Sequence, residues 1–158
     1  MNSLTQLFTS NDVLLDLDVS DKKALFPAVA KLWQARHELV AEKIVNSLNA
    51  REELGSTGLG EGVAIPHARI DGLDKAVAAV VRTKMPIAFD APDGKPVVSF
   101  FMLLVPSEAT EQHLQILAEV AAMFSDEKFR VRLGTIKSQE EMYTLFSEWP
   151  LSKERKLA

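Results

Sequence analysis

The stretch Val97-Val98-Ser99-Phe100-Phe101-Met102-Leu103-Leu104-Val105 decides the fold. Apart from Ser99 it is apolar throughout, with no polar alternation and several β-branched and aromatic residues, which predicts a strand covered on both faces. Ala76 to Thr83 reads the same way. Such strands need helices above and below, and the flanking sequence supplies them. Leu25, Ala28, Val29, Leu32 and Trp33 recur at helical spacing after Ser20-Asp21, predicting an amphipathic helix over about 21–36. Pro27 conflicts with its first turns and predicts either a kink or a start near Phe26. Val40, Ala41, Ile44, Val45, Leu48 and Leu54 predict a second helix, with Gly55 as its stop. Further helical patterns run over about 110–124, about 126–133 ending at Gly134, and about 139–148 before Pro150. Asp12 to Val19 nearly alternates acidic and apolar residues, the period of a half-buried strand near a sheet edge. Val63 to Ile65 is a short strand before Pro66, and Met85 to Pro96, with three prolines and Asp93-Gly94, reads as a connection containing a turn. The class is α/β, with helices packed on both faces of a sheet.

Composition narrows the function classes. The chain has 158 residues, 47% apolar and 25% charged, as expected for one globular domain with a sizeable core. It has no cysteine, which removes disulfides, thiolate nucleophiles and cysteine-bound metals, and fits a reducing compartment. A formal charge of −4, with the basic residues scattered, gives no footprint for nucleic acid. The N-terminus lacks the pattern of a secretory signal, and no apolar run approaches the roughly 20 residues of a membrane span. A cytoplasmic protein is expected. Ser152-Lys153-Glu154-Arg155-Lys156 reads as a frayed, solvated end.

Four of the seven glycines fall within Gly55-Ser56-Thr57-Gly58-Leu59-Gly60-Glu61-Gly62. Such a stretch can turn successive N–H groups toward an anion. It is neither a P-loop, because Glu61 stands where the lysine must be, nor a dinucleotide fingerprint, because the third spacing fails and a helix precedes it. Taken alone, the cluster reads as a flexible turn leaving a helix. The residues beyond it carry a sharper signal: in Ile65-Pro66-His67-Ala68-Arg69 the proline constrains the backbone, so His67 emerges at the end of a short strand. Neutral imidazole is a competent nucleophile near pH 7 and can hold a phosphoryl group covalently. The bland alternative is a half-exposed histidine without a role. His113 falls in the first turn of a predicted helix, where free N–H groups favour a bound anion, or else it simply packs against Leu117. Arg51 lies one turn before Gly55, placed as a phosphate clamp or as a solvated helix arginine. His37 reads as a surface residue between two helices. A metal site using His67, His113 and a carboxylate such as Asp71 or Glu111 is compatible with the spacing, and a metal-dependent hydrolase is the rival from another class.

Taken in order, Arg51-Glu52-Glu53-Leu54-Gly55-Ser56-Thr57-Gly58, Ala64-Ile65-Pro66-His67, Pro86-Ile87-Ala88-Phe89-Asp90, Leu103-Leu104-Val105-Pro106 and His113-Leu114 resemble the IIA component of the bacterial phosphoenolpyruvate-dependent phosphotransferase system. The likeness is to its fructose, mannitol and nitrogen-regulatory branch. It runs over nearly the whole chain and, for a short free-standing chain, is strongest to the nitrogen-regulatory type. The resemblance implies a single-domain, three-layer α/β/α sandwich with a mixed sheet over residues 1–150, followed by the tail 151–158. It implies a phosphohistidine carrier: His67 is phosphorylated by a histidine phosphocarrier protein, and His113, Arg51 and the loop at Ser56, Thr57 and Gly58 steady the phosphoryl group. No cofactor, metal or nucleotide is implied. The partners implied are regulatory target proteins or, if the chain serves sugar uptake, a IIB carrier domain; neither nucleic acid nor membrane insertion is implied. Close docking predicts an apolar patch around His67, with Leu59 or Leu73 in it. A pure interaction domain is a further alternative, disfavoured by the presence of both His67 and His113. Two departures stand out. Ala68 replaces a common glycine, and Phe26-Pro27 interrupts a helix that is continuous in most members.

Overall fold

A computed structural model describes residues 3–108 and 111–149. The tail 151–158 and Thr110, the expected first residue of the third helix, lie outside the described residues. After two short 3₁₀ turns, Ser3–Gln6 and Ser10–Asp12, the chain forms β1 (Val13–Leu17), α1 (Lys22–His37) and α2 (Ala41–Glu53). There follow β2 (Gly58–Gly60), β3 (Val63–Ala64), β4 (His67–Ile70), β5 (Val77–Ile87) and β6 (Val97–Pro106). Three helices close the described chain: α3 (Glu111–Ser125), α4 (Glu127–Thr135) and α5 (Gln139–Glu148).

The strands make one mixed sheet in the order β1-β5-β6-β3-β2, with β4 also paired to β6. β5 and β6 are antiparallel, whereas β1 on β5 and both β3 and β4 on β6 are parallel. The apolar run that decides the fold is buried on both faces. Phe100, Met102 and Leu104 enter a core under α1 and α2, and Phe101, Leu103 and Val105 enter a second core under α3, α4 and α5. This is the three-layer sandwich with a mixed sheet that the family resemblance implied, and β1 lies at an edge as its acidic alternation required.

Four local expectations need correction. α1 starts at Lys22 rather than near Phe26, because Asp21 caps it: its carboxylate accepts from the Ala24 N–H at 2.9 Å and its carbonyl accepts from Leu25. A proline so close to the start denies a partner only to the carbonyl of exposed Lys23, where water can serve. β5 continues through Met85 and Pro86 to Ile87, so the connection is shorter than Met85–Pro96. The ladder to β6 shifts register between Arg82 and Ile87, and an irregularity of that kind tolerates a proline without an N–H. The glycine cluster is a hairpin rather than a loose turn. β2 and β3 pair antiparallel across Glu61-Gly62, both with positive φ, as a two-residue turn of this hand demands. Finally, His67 opens a strand instead of ending one. Ile65-Pro66 break the edge between β3 and β4, and His67 then pairs in register with Leu103.

Candidate functional site

Along β4, Ala68 and Ile70 are buried in the core under α1 and α2, while His67 and Arg69 alternate onto the opposite face. The imidazole of His67 is fixed at both nitrogens. Its Nδ1 lies 2.8 Å from the Ile65 carbonyl, which can only accept, so the ring proton resides on Nδ1. Nε2 is thereby left with its lone pair, and it accepts from Arg51 Nε at 3.3 Å. Arg51 is in the last turn of α2, and its Nη1 also donates to the Gly55 carbonyl at 2.8 Å. Burial holds the His67 pKa below the ordinary histidine value. The charge of Arg51 and the neighbouring His113 push it the same way, against the hydrogen bond to the Ile65 carbonyl and the charge of Glu52.

His113 is buried, 9% exposed, in the first turn of α3. Its Nε2 lies 3.4 Å from Arg69 Nη2, while its Nδ1 is buried with no hydrogen-bond partner among the described residues. Arg69 Nη1 donates to the Ser107 carbonyl at 3.1 Å, tying β4 to the turn that leads into α3. Two expected candidates, His113 and Arg51, are therefore brought near His67, Arg51 directly onto its Nε2. His37 ends α1, half-buried, and enters none of these contacts.

The glycine loop is locked by its own side chains. Ser56 Oγ donates to the Phe89 carbonyl at 2.7 Å and accepts from the Gly58 N–H at 3.0 Å. Buried Thr57 donates its hydroxyl to Glu52, whose other carboxylate oxygen accepts the Thr57 N–H at 3.2 Å. Gly58 packs closely: a Cβ there would meet the Cβ of Ala91 at 3.0 Å, so Ala91 would have to give way. Sequence reasoning passed over Glu52 and Arg69. Arg69 follows His67 by two residues, a signal that is legible only once β4 is known to be a strand.

Around the site, Leu54 is 85%, Leu114 59% and Leu59 44% exposed. Leu73 instead packs, partly buried, against the core under α1 and α2. Among the described residues no three His, Asp or Glu side chains converge as a metal site. His67 and His113 each have a guanidinium beside the ring, an unfavourable setting for a cation.

The family model of the phosphoenolpyruvate-dependent sugar phosphotransferase system, EIIA 2, matches residues 6–149. The chain belongs to this family. A nitrogen regulatory protein of Pseudomonas aeruginosa is 41% identical over 147 residues, covering 92% of this chain and 95% of that one. The crystal structure of the nitrogen regulatory protein IIA-Ntr from Neisseria meningitidis superposes with a TM-score of 0.88 at 42% identity, over 92% of this chain and 99% of that one. A fructose-specific EIIA component of Haloferax volcanii is 36% identical but matches only 66% of this chain and 68% of its own. As an EIIA 2 protein the chain has a phosphotransfer role, and its likeness to the nitrogen-regulatory members is the more extensive one. Among the described residues no helix is long and apolar enough to cross a membrane.

Proposed function

We propose that this chain is a phosphohistidine carrier of the nitrogen-regulatory kind, acting in the cytoplasm, with His67 as the residue that accepts phosphate from a histidine phosphocarrier protein. The observation that supports it is the fixed tautomer: Nδ1–H is held by the Ile65 carbonyl, so Nε2 offers a lone pair in a ring kept neutral by burial and by Arg51. Nε2 attacks phosphorus, the donor's N–P bond breaks as the new one forms, and the donor imidazole departs. No proton has to leave His67, and the Ile65 carbonyl meets the positive charge that develops on the ring. Arg51 turns from Nε2 to the phosphoryl oxygens, joined by His113, and catalysis consists of positioning and charge stabilisation. Ser56, Thr57 and Gly58 serve the phosphoryl group by holding the loop beneath it.

Leu54, Leu59 and Leu114 form the apolar rim on which the donor, and then regulatory targets, dock. Residues 1–150 act as the IIA-type domain. The fructose-specific likeness supports a second reading, in which phosphate passes on to a IIB domain. Transfer of label to such a domain distinguishes the two.

The test mixes the chain with labelled phosphoenolpyruvate and the two general phosphotransferase proteins. Label that is stable to base and lost in acid is expected on the wild type and absent from His67→Ala. Label persisting in that variant overturns the assignment. Arg51→Ala and His113→Ala each slow transfer by about 10², the effect of losing one preorganised donor.

A further inference from the structure

We propose that Arg69 is a positioning residue for the exchange, a clamp that sets the orientation and tautomer of His113 relative to His67. The inference rests on the reading of His67 as phosphate acceptor. His113 reaches the site from α3, in the layer opposite the core that seats β4 and α2, so its ring is not seated by the α1 and α2 layer. Arg69 bridges that gap. It stands two residues from His67 on the same face of β4, and its guanidinium spans the Ser107 carbonyl, at the exit of β6, and His113 Nε2. A guanidinium only donates, so Nε2 of His113 accepts and its ring proton lies on Nδ1.

Nδ1 of His113 is buried without a partner among the described residues, so none of them gives it a reason to carry that proton. The tautomer is therefore imposed from the Nε2 side, by Arg69. The two histidines thus share one arrangement: each has an arginine N–H on Nε2, from Arg51 for His67 and from Arg69 for His113. They differ at Nδ1, which the Ile65 carbonyl secures in His67 and no described residue secures in His113. Removing Arg51 leaves the His67 tautomer in place, whereas removing Arg69 releases that of His113.

The experiment reads ring nitrogen shifts by long-range ¹H–¹⁵N correlation, which needs no phosphate donor and so is independent of the reading on which the inference rests. In the wild type at pH 7.5, His113 is expected with Nδ1 protonated and Nε2 as acceptor. Arg69→Met removes the donor while keeping the aliphatic stem, and shifts the His113 pattern toward a protonated or averaged Nε2; Arg69→Lys restores it. In transfer assays with a phosphorylated histidine carrier protein, Arg69→Met slows the reaction by up to about 10²-fold, as misplacing a group by about 1 Å can. The same substitution in the His113→Ala background has no further effect, because Arg69 acts through that ring. An unchanged His113 pattern in Arg69→Met overturns the clamp, as does full additivity of the two substitutions. A wild type that accepts no phosphate while the ring pattern behaves as expected overturns the acceptor assignment instead.

Discussion

Under α1 and α2 the sheet is covered largely by aliphatic side chains around Trp33, with a short aromatic chain from Phe26 through Phe89 to Phe100. Under α3, α4 and α5 the filling is a ring network in which Phe146 meets Phe8, Phe101, Phe124 and Phe129 at centroid distances of 5.1–6.2 Å. The layers also differ in what they deliver. The first seats β4 through Ala68 and Ile70, seats α2 through Ile44 and Leu48, and receives the Ser56 hydroxyl on the Phe89 carbonyl. His67, Arg51 and the glycine loop therefore share one core. The second layer sends His113, at the start of a helix. One layer seats β4 and α2, which carry the proposed acceptor and Arg51, and the other delivers only His113, so damage to each should have different consequences.

Phe146→Ala is the most drastic way to test that division. It removes the centre of the ring network and is expected to cost about 3–5 kcal/mol in urea unfolding, with the pH titration of the His67 ring unchanged in the folded protein. A displaced titration would mean that the second layer also governs the site. Leu48→Ala should cost about 2–4 kcal/mol, and because Arg51 lies three residues further along α2, it should also loosen the contact to Nε2. The His67 midpoint then rises toward the ordinary histidine value, measured by the same NMR titration. A loss of stability with no movement of the midpoint would break the coupling between that core and the site.

The smallest effect sharpens the comparison most directly. The His67 midpoint should lie below the unperturbed value of about 6.5, because burial and Arg51 disfavour the charged ring. The sign follows from proton uptake. Between the lowered folded value and about 6.5 the unfolded chain binds more protons, so stability falls as pH falls through that window, and His67→Ala removes this dependence. Transfer rates, for the same reason, should hold up at mildly acidic pH and fall only below the His67 midpoint.

Much of the fold was legible from the chain. The unbroken apolar run at Val97–Val105, the helical spacings and Asp21 before α1 specified layers and class, because burial on both faces leaves a sequence no freedom to alternate. Pro66-His67 marked the proposed phosphate acceptor through its constrained backbone. β4 was not legible: His-Ala-Arg-Ile has one strongly apolar residue, and its strand state comes from hydrogen bonds to a partner more than thirty residues away. The hairpin at Gly58–Ala64 and the extension of β5 through Pro86 were hidden for a more local reason: the turn puts the non-glycine Glu61 at positive φ, and β5 carries Pro86 across a shifted register to pair Ile87 with Val97.

By itself, then, the sequence determined an α/β sandwich without cysteine, and a histidine set on a constrained backbone just after Pro66. Only the tertiary structure decided which nitrogen of His67 carries the proton, that Arg51 faces the other, and that Arg69 lies against Nε2 of His113. Those are contacts between side chains on different elements. Their distances depend on how the layers close over the sheet, and local propensity carries no information about that closure.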